Sequence, residues 1–395
     1  MATPETPRAT SQTESAAPDW WIFHGTGQPR PLLDLVAELP PPPQWRAYKG
    51  GPHLEPPPTA DESDEETRRI LGPVAGVSTA PHTSPNGATP EGTRHTVLSK
   101  INAALYLRRP LLVTGPPGVG KSALADLLAR ELNLGRVLRW PVTSRATVTN
   151  GLYDYDPLAQ IHDLNLDSAY HQASGLPDRR YAATPDTETA RLRGTAERIG
   201  RYLRLGPLGT AFLPYRNPRV LLVDEFDKGD YDLPDGLLDL FEKGSFRIPP
   251  LVRLAPAAPR ITVGTDDPGR EATVVSGRVE CSAFPIVILT CNSDRAFPPA
   301  FLRRCIPLRL ELPSPEELAE IVAAHFSGWL PEHAPSVITA FLERSAEREG
   351  LAIDQLLNAV ELTSSLVPGA EGPLDQEFLG FLSDLLWHQL REASE

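Results

Sequence analysis

The sequence predicts an α/β fold in which a five-stranded parallel sheet lies between helices. A small all-helical domain follows it, and a proline-rich, partly disordered region precedes it. Three observations carry this expectation. Short apolar runs alternate with amphipathic helical patterns over residues 91–312, the order that builds a parallel sheet covered on both faces. A glycine-rich turn joins the first of these runs directly to a helix. After Leu312 the strand patterns stop, and only helical spacing is found over 313–395.

Residues 1–90 differ in composition from the remainder of the chain. They contain PPPP at Pro40–Pro43, PPP at Pro56–Pro58, the acidic run Asp61–Glu66 and the stretch TAPHTSPNGATPEG. Segments of this kind bury too little apolar surface to offset their ordering entropy and read as linkers. Inside them, DWWIFHGTGQPRP sets Trp20, Trp21, Ile22 and Phe23 in a row. Four consecutive large apolar residues are expected to dock, on this chain or on a partner. His24 reads as a packing residue, and Gly25-Thr26-Gly27 is too short to be a phosphate loop.

In the next region, Val97, Ile101, Leu105 and Leu107 have near-helical spacing. The strands expected are LLVT (Leu111–Thr114), RVLRWPV (Arg136–Val142), RVLLVDE (Arg219–Glu225), PIVILTCN (Pro285–Asn292) and IPLRLEL (Ile306–Leu312). Helical patterns at Ser122–Leu132 and Leu233–Lys243 separate several of them. Beyond Leu312, Ser314-Pro315-Glu316-Glu317 has the form of a capping box with proline at the first helical position. Ile353, Leu356, Leu357 and Val360 then mark a buried helical stripe, and Leu374–Arg391 is a further amphipathic helix.

Gly115, Pro116, Pro117, Gly118, Val119, Gly120, Lys121 and Ser122 spell G-x-x-x-x-G-K-[ST] between a strand and a helix. Glycines let successive N–H groups turn inward around phosphate oxygens, and the helix N-terminus adds positive potential there. Lys121 would reach the β- and γ-phosphates, and the Ser122 hydroxyl would ligate Mg²⁺. The run Val220–Val223 ends in Asp224 and Glu225, two adjacent carboxylates that disfavour each other's ionised form unless a cation or a proton transfer uses them. Asp224 is the expected second metal ligand, and Glu225 the group that orients or deprotonates a water. Asn292, at the tip of PIVILTCN, could hold that water. Arg303 and Arg304 could reach the nucleotide of a neighbouring subunit. The cofactors implied are ATP and Mg²⁺.

Together GPPGVGKS, LLVDE, Asn292, the arginines before the last strand and the helical C-terminal region resemble the AAA+ ATPases. YLRLGPLGTAFLP leading into RVLLVDEFDK, then LLDLFEKGSFRIP, is similar to the MoxR branch of that family. The resemblance implies a P-loop AAA+ fold, a helical lid, a homo-oligomeric ring completed by Arg304 or Arg303 from the next subunit, and ATP hydrolysis that remodels protein partners. It also implies an insert at about 160–205. The hairpin expected at about 258–283, around Asp266-Asp267-Pro268-Gly269, either faces a central pore or is an ordinary surface hairpin. In the lid the branch often presents an arginine to the γ-phosphate, where this chain has Gly350–Asp354, with an acid at the corresponding place.

Other function classes are weakened by composition. The net charge of −13, with no block of Lys or Arg, speaks against nucleic-acid or anionic-membrane binding. No apolar run approaches the roughly 20 residues of a membrane span. The first residues lack a basic segment followed by an apolar one, so a cytoplasmic chain is expected. Cys281, Cys291 and Cys305 read as reduced core thiols rather than a metal set. Two alternatives remain: a slow nucleotide-dependent switch or scaffold acting through the aromatic segment, and a GTP-using motor on DNA. The latter rests on Asp227-Lys228-Gly229-Asp230 as a loose imitation of a guanine-reading run.

Overall fold

A computed structural model describes residues 18–30, 33–54, 90–162, 165, 194–292, 295–326, 330–347, 351–366 and 374–387. Pro56–Pro58, the acidic run, most of TAPHTSPNGATPEG, most of the expected insert, Gly350 and the chain beyond 387 lie outside the described residues. The strands are β1 (Leu111–Thr114), β2 (Leu138–Pro141), β3 (Tyr153–Tyr155), β4 (Leu203–Leu205), β5 (Val220–Asp224) and β6 (Ser245–Arg247). They continue with β7 (Arg260–Gly264), β8 (Glu271–Val275), β9 (Arg278–Glu280), β10 (Ile286–Cys291) and β11 (Ile306–Arg309).

All five strands expected from the apolar runs pair in parallel, in the order β11-β1-β10-β5-β2. The three inner strands, β1, β10 and β5, are buried almost without interruption because both faces are covered, whereas the outer strands β2 and β11 carry exposed positions. Alternate side chains feed two different cores. Leu221, Val223 and Leu289 join one with the helix Leu233–Lys243, whereas Val220, Leu222 and Ile288 join the other with the helices Pro90–Leu107 and Ala123–Glu131. On Pro90–Leu107, Val97, Ile101 and Leu105 are buried, but Leu107 is 41% exposed. Two residues past Leu105 lies more than half a turn around the helix, which takes Leu107 off the buried face.

A second, six-stranded sheet, ordered β3-β4-β7-β8-β9-β6, was legible only as the hairpin β7–β8. Its turn is held rather than free. Arg219, just before β5, makes a two-pronged ion pair with Asp267 at 2.7 and 2.9 Å, with both residues buried. Breaking such a pair on one side costs about 3–5 kcal/mol, because the other charge is left buried. β3, just before the expected insert, pairs antiparallel with β4 at the insert's end.

The helical region matches its expectation. Pro315–His325, Ala334–Glu347, Ile353–Leu366 and Gln376–Leu386 share a core that includes Leu318, Phe341, Leu356, Val360 and Trp387. Leu357 is only partly buried against it. The Ser314–Glu317 capping box is formed in both directions: Ser314 Oγ accepts from Glu317 N, and Glu317 Oε2 accepts from Ser314 N at 2.8 Å.

One expectation needs correcting. Residues 18–54, as far as they are described, are a strap on the α/β domain and not a linker. Trp21, Ile22 and Phe23 are buried in the second core, while Trp20 remains 40% exposed. The buried Asn102 side chain accepts from Ile22 N and Phe23 N and donates to Phe23 O. The buried Glu131 carboxylate accepts from the backbone N–H groups of His24, Thr26 and Gly27 and from the Thr26 hydroxyl. Gly25 and Gly27 have φ of 68° and 64°, so this short glycine turn does cradle an anion, the chain's own Glu131. Further along, Arg108 donates to Pro40 O, and Arg46 and Tyr48 donate to Phe241 O. Composition missed this because side-chain polarity does not count backbone donors that find a buried acceptor elsewhere.

Candidate functional site

β1 ends at Thr114 and the helix Ala123–Glu131 begins nine residues later, so the glycine-rich turn sits between them as the motif requires. Gly115, Gly118 and Gly120 have φ of 151°, 72° and 87°. A Cβ at Gly115 would lie 2.4 Å from Leu310 O, and one at Gly118 would lie 2.4 Å from Ala352. At Gly120 there is open space, so only the backbone conformation demands glycine there. Gly118 therefore meets the start of the helix Ile353–Leu366, which brings the helical region onto the loop. Asp354 in that first turn is exposed.

Lys121 is 6% exposed, and its ammonium donates to Gly115 O and Pro116 O at 2.8 and 2.5 Å. Burial lowers its pKa; the charges of Asp227 and Asp224 act in the other direction. The loop thus folds around its own cation.

The acidic strand tip lies against this loop. Ser122 Oγ donates to Asp224 Oδ1 at 2.8 Å across 102 positions of sequence. Glu225 leaves β5 in the left-handed region, φ 55° and ψ 42°, which is uncommon for a non-glycine residue. Two things hold it there. Phe226 drops into the core beside Phe297 and Phe301, with ring centroids 5.2 and 5.3 Å away. Glu225 N donates to Thr290 Oγ1 at 3.0 Å. The Glu225 side chain points to partial exposure and forms an ion pair with Lys228 at 2.7 Å.

Asn292 follows β10, next to the loop by register, since Thr114 pairs with Cys291; its side chain is exposed. The Cys291 thiol is pushed up to about 12 by burial and by the Asp227 charge, so it stays protonated. All three cysteines are free and buried.

Arg303 and Arg304 lie elsewhere. They precede β11, which runs parallel beside β1, so they sit at the opposite end of the strands from the loop. Arg303 is exposed. Arg304 forms an ion pair with Glu242 and donates to Ala300 O at 3.0 Å. Neither arginine is brought to this chain's own loop.

The run Asp227–Asp230 follows the acidic strand tip and is tied to its surroundings. Lys228 holds Glu225, and Arg295 donates to Asp227 O and Gly229 O. Arg295 and Thr290 were both missed in sequence. A lone arginine in a loop and a lone threonine in an apolar strand carry no pattern of their own.

The donor set fits a divalent cation bound with a nucleotide, because a hydroxyl and a carboxylate oxygen, both hard ligands, already meet beside a glycine turn. Among the described residues there is no group of three His, Cys, Asp or Glu side chains able to hold a metal alone, and no helix long and apolar enough to cross a membrane.

The chain matches no known protein-family model and no curated protein. Among solved structures it is similar to NtrX from Brucella abortus in complex with ADP, at 14% identity and a TM-score of 0.38. That match covers 79% of this chain but only 56% of the other.

Proposed function

We propose that this chain is an AAA+ ATPase of the MoxR-like type, which binds ATP with Mg²⁺ and hydrolyses it to ADP and phosphate. The observation that carries the proposal is the bond from Ser122 to Asp224, which unites two motifs far apart in sequence at one point. Gly115–Gly120 would offer backbone N–H groups to the phosphates, and Lys121 would exchange its loop carbonyls for phosphate oxygens. Ser122 and Asp224 would hold Mg²⁺, which when bound offsets charge on the phosphates. Glu225 would accept a proton from water as the water oxygen bonds to the γ-phosphorus. The bond from that phosphorus to the β–γ bridging oxygen breaks, and ADP leaves with the electron pair. Asn292 would orient the same water.

Because Arg303 and Arg304 stand at the far end of the strands from the loop, their use in hydrolysis requires a second copy of the chain. Arg303 is exposed and ready for this role, whereas Arg304 must first release Glu242. Ring assembly and remodelling of a protein partner rest on the resemblance alone. A slower switch is the second reading, and one observation favours it: the Glu225 carboxylate is held by Lys228.

Steady-state phosphate release tests both. The proposal expects turnover that is lost in Arg303→Ala or Arg304→Ala while ATP binding stays normal. Full turnover in both variants would remove the shared site, and negligible turnover at every ATP and protein concentration would leave the switch.

A further inference from the structure

We infer that Thr290 is a positioning residue that fixes both carboxylates of the acidic strand tip; this rests on the proposed nucleotide site. Leu289 pairs with Val223 across β10 and β5, so the next position, Thr290, stands beside Asp224. Its side chain is 2% exposed, and its single hydroxyl makes two directed bonds. It donates to Asp224 Oδ1 and accepts from Glu225 N at 3.0 Å. One oxygen therefore ties the side chain of the expected metal ligand to the backbone of the expected base.

The geometry explains why a hydroxyl is needed at this place. Glu225 adopts a left-handed conformation that a residue with a side chain rarely takes. That turn directs its N–H toward β10, where an apolar side chain would leave the donor unpaired beside the core. The proton on Thr290 Oγ1 points the other way, into Asp224. Ser122 donates to the same Oδ1, but the proposed mechanism moves the Ser122 hydroxyl to the metal. Thr290 is then the protein donor that keeps Asp224 aimed when Ser122 has turned. Groups of this kind orient ligands without touching the ion, and their loss typically weakens metal affinity or activity about 10–100-fold. Valine has nearly the same shape as threonine and lacks only the bonds. Serine keeps the bonds and lacks only a methyl group.

The test compares wild type, Thr290→Val and Thr290→Ser in the full chain. ATP binding is measured by calorimetry with and without Mg²⁺, alongside phosphate release and urea denaturation. In Thr290→Val the strengthening of ATP binding by Mg²⁺ should fall about tenfold or more, and turnover should fall with it. ATP binding without Mg²⁺ should stay within about twofold of wild type, because the loop is untouched. Thr290→Ser should restore both properties to within a few fold even if it melts earlier. If Thr290→Val keeps the Mg²⁺ effect, or Thr290→Ser fails as badly as Thr290→Val, the positioning role is overturned. If wild type itself binds no ATP with Mg²⁺, the nucleotide-site reading falls instead.

Discussion

The helix Ala123–Glu131 has a different anion arrangement at each end, and the contrast shows what a sequence discloses. At its N-terminus a glycine turn, Lys121 and Ser122 present positive potential, with Asp224 bonded to the serine. At its C-terminus the buried Glu131 places a negative charge where the helix dipole is already negative, which is unfavourable. The strap reverses that. Three backbone N–H groups and one hydroxyl from His24–Gly27 converge on the carboxylate. Both ends meet a glycine turn, one folded around the Lys121 ammonium and the other around the Glu131 carboxylate.

If the two ends serve chemistry and stability separately, variants should separate them too. The largest effect belongs to Glu225→Gln, which should lower turnover about 10²–10⁴-fold in phosphate-release assays while leaving ATP binding and the denaturation midpoint near wild type. Next, Glu131→Leu strands four donors and should destabilise the protein by about 3 kcal/mol in urea, with turnover at permissive temperature little changed. A large loss of ATP affinity in that variant would show that the helix couples its ends. Asn102→Leu leaves Ile22 N and Phe23 N unpaired and should cost about 2 kcal/mol by the same measurement. The smallest change is expected for Trp45→Ser. Trp45 is 78% exposed although its neighbour Arg46 is buried, so the denaturation midpoint should move by no more than about 0.5 kcal/mol in equivalent stability.

The same contrast explains what was legible. The glycine-rich turn is eight consecutive residues whose order reports backbone geometry, and Asp224-Glu225 announces itself by placing two charges at the end of an apolar run. The inner parallel strands β1, β5 and β10 are buried on both faces and so read as continuous apolar stretches. The second sheet is different: β3, β4, β6 and β9 are three residues each, too short for alternation to register. Asn102 and Glu131 sit in ordinary helical patterns, and their partners lie 80 and 107 positions away at Ile22 and His24. Thr290 suits a strand by β-branching alone, so nothing local distinguishes a hydroxyl that bridges two acids from one that merely packs. Segments that announce themselves by a local motif could be read from the sequence and even paired, as Ser122 and Asp224 were; polar contacts between distant segments without such a motif could not.

The central claim is that the glycine turn and the acidic strand tip form one site for ATP and Mg²⁺. Calorimetric titration of ATP into the full chain, with and without Mg²⁺, tests it most directly against Lys121→Ala. The account predicts saturable binding that Mg²⁺ strengthens and that Lys121→Ala abolishes. No binding by wild type in either condition, or equal binding by Lys121→Ala, would contradict it.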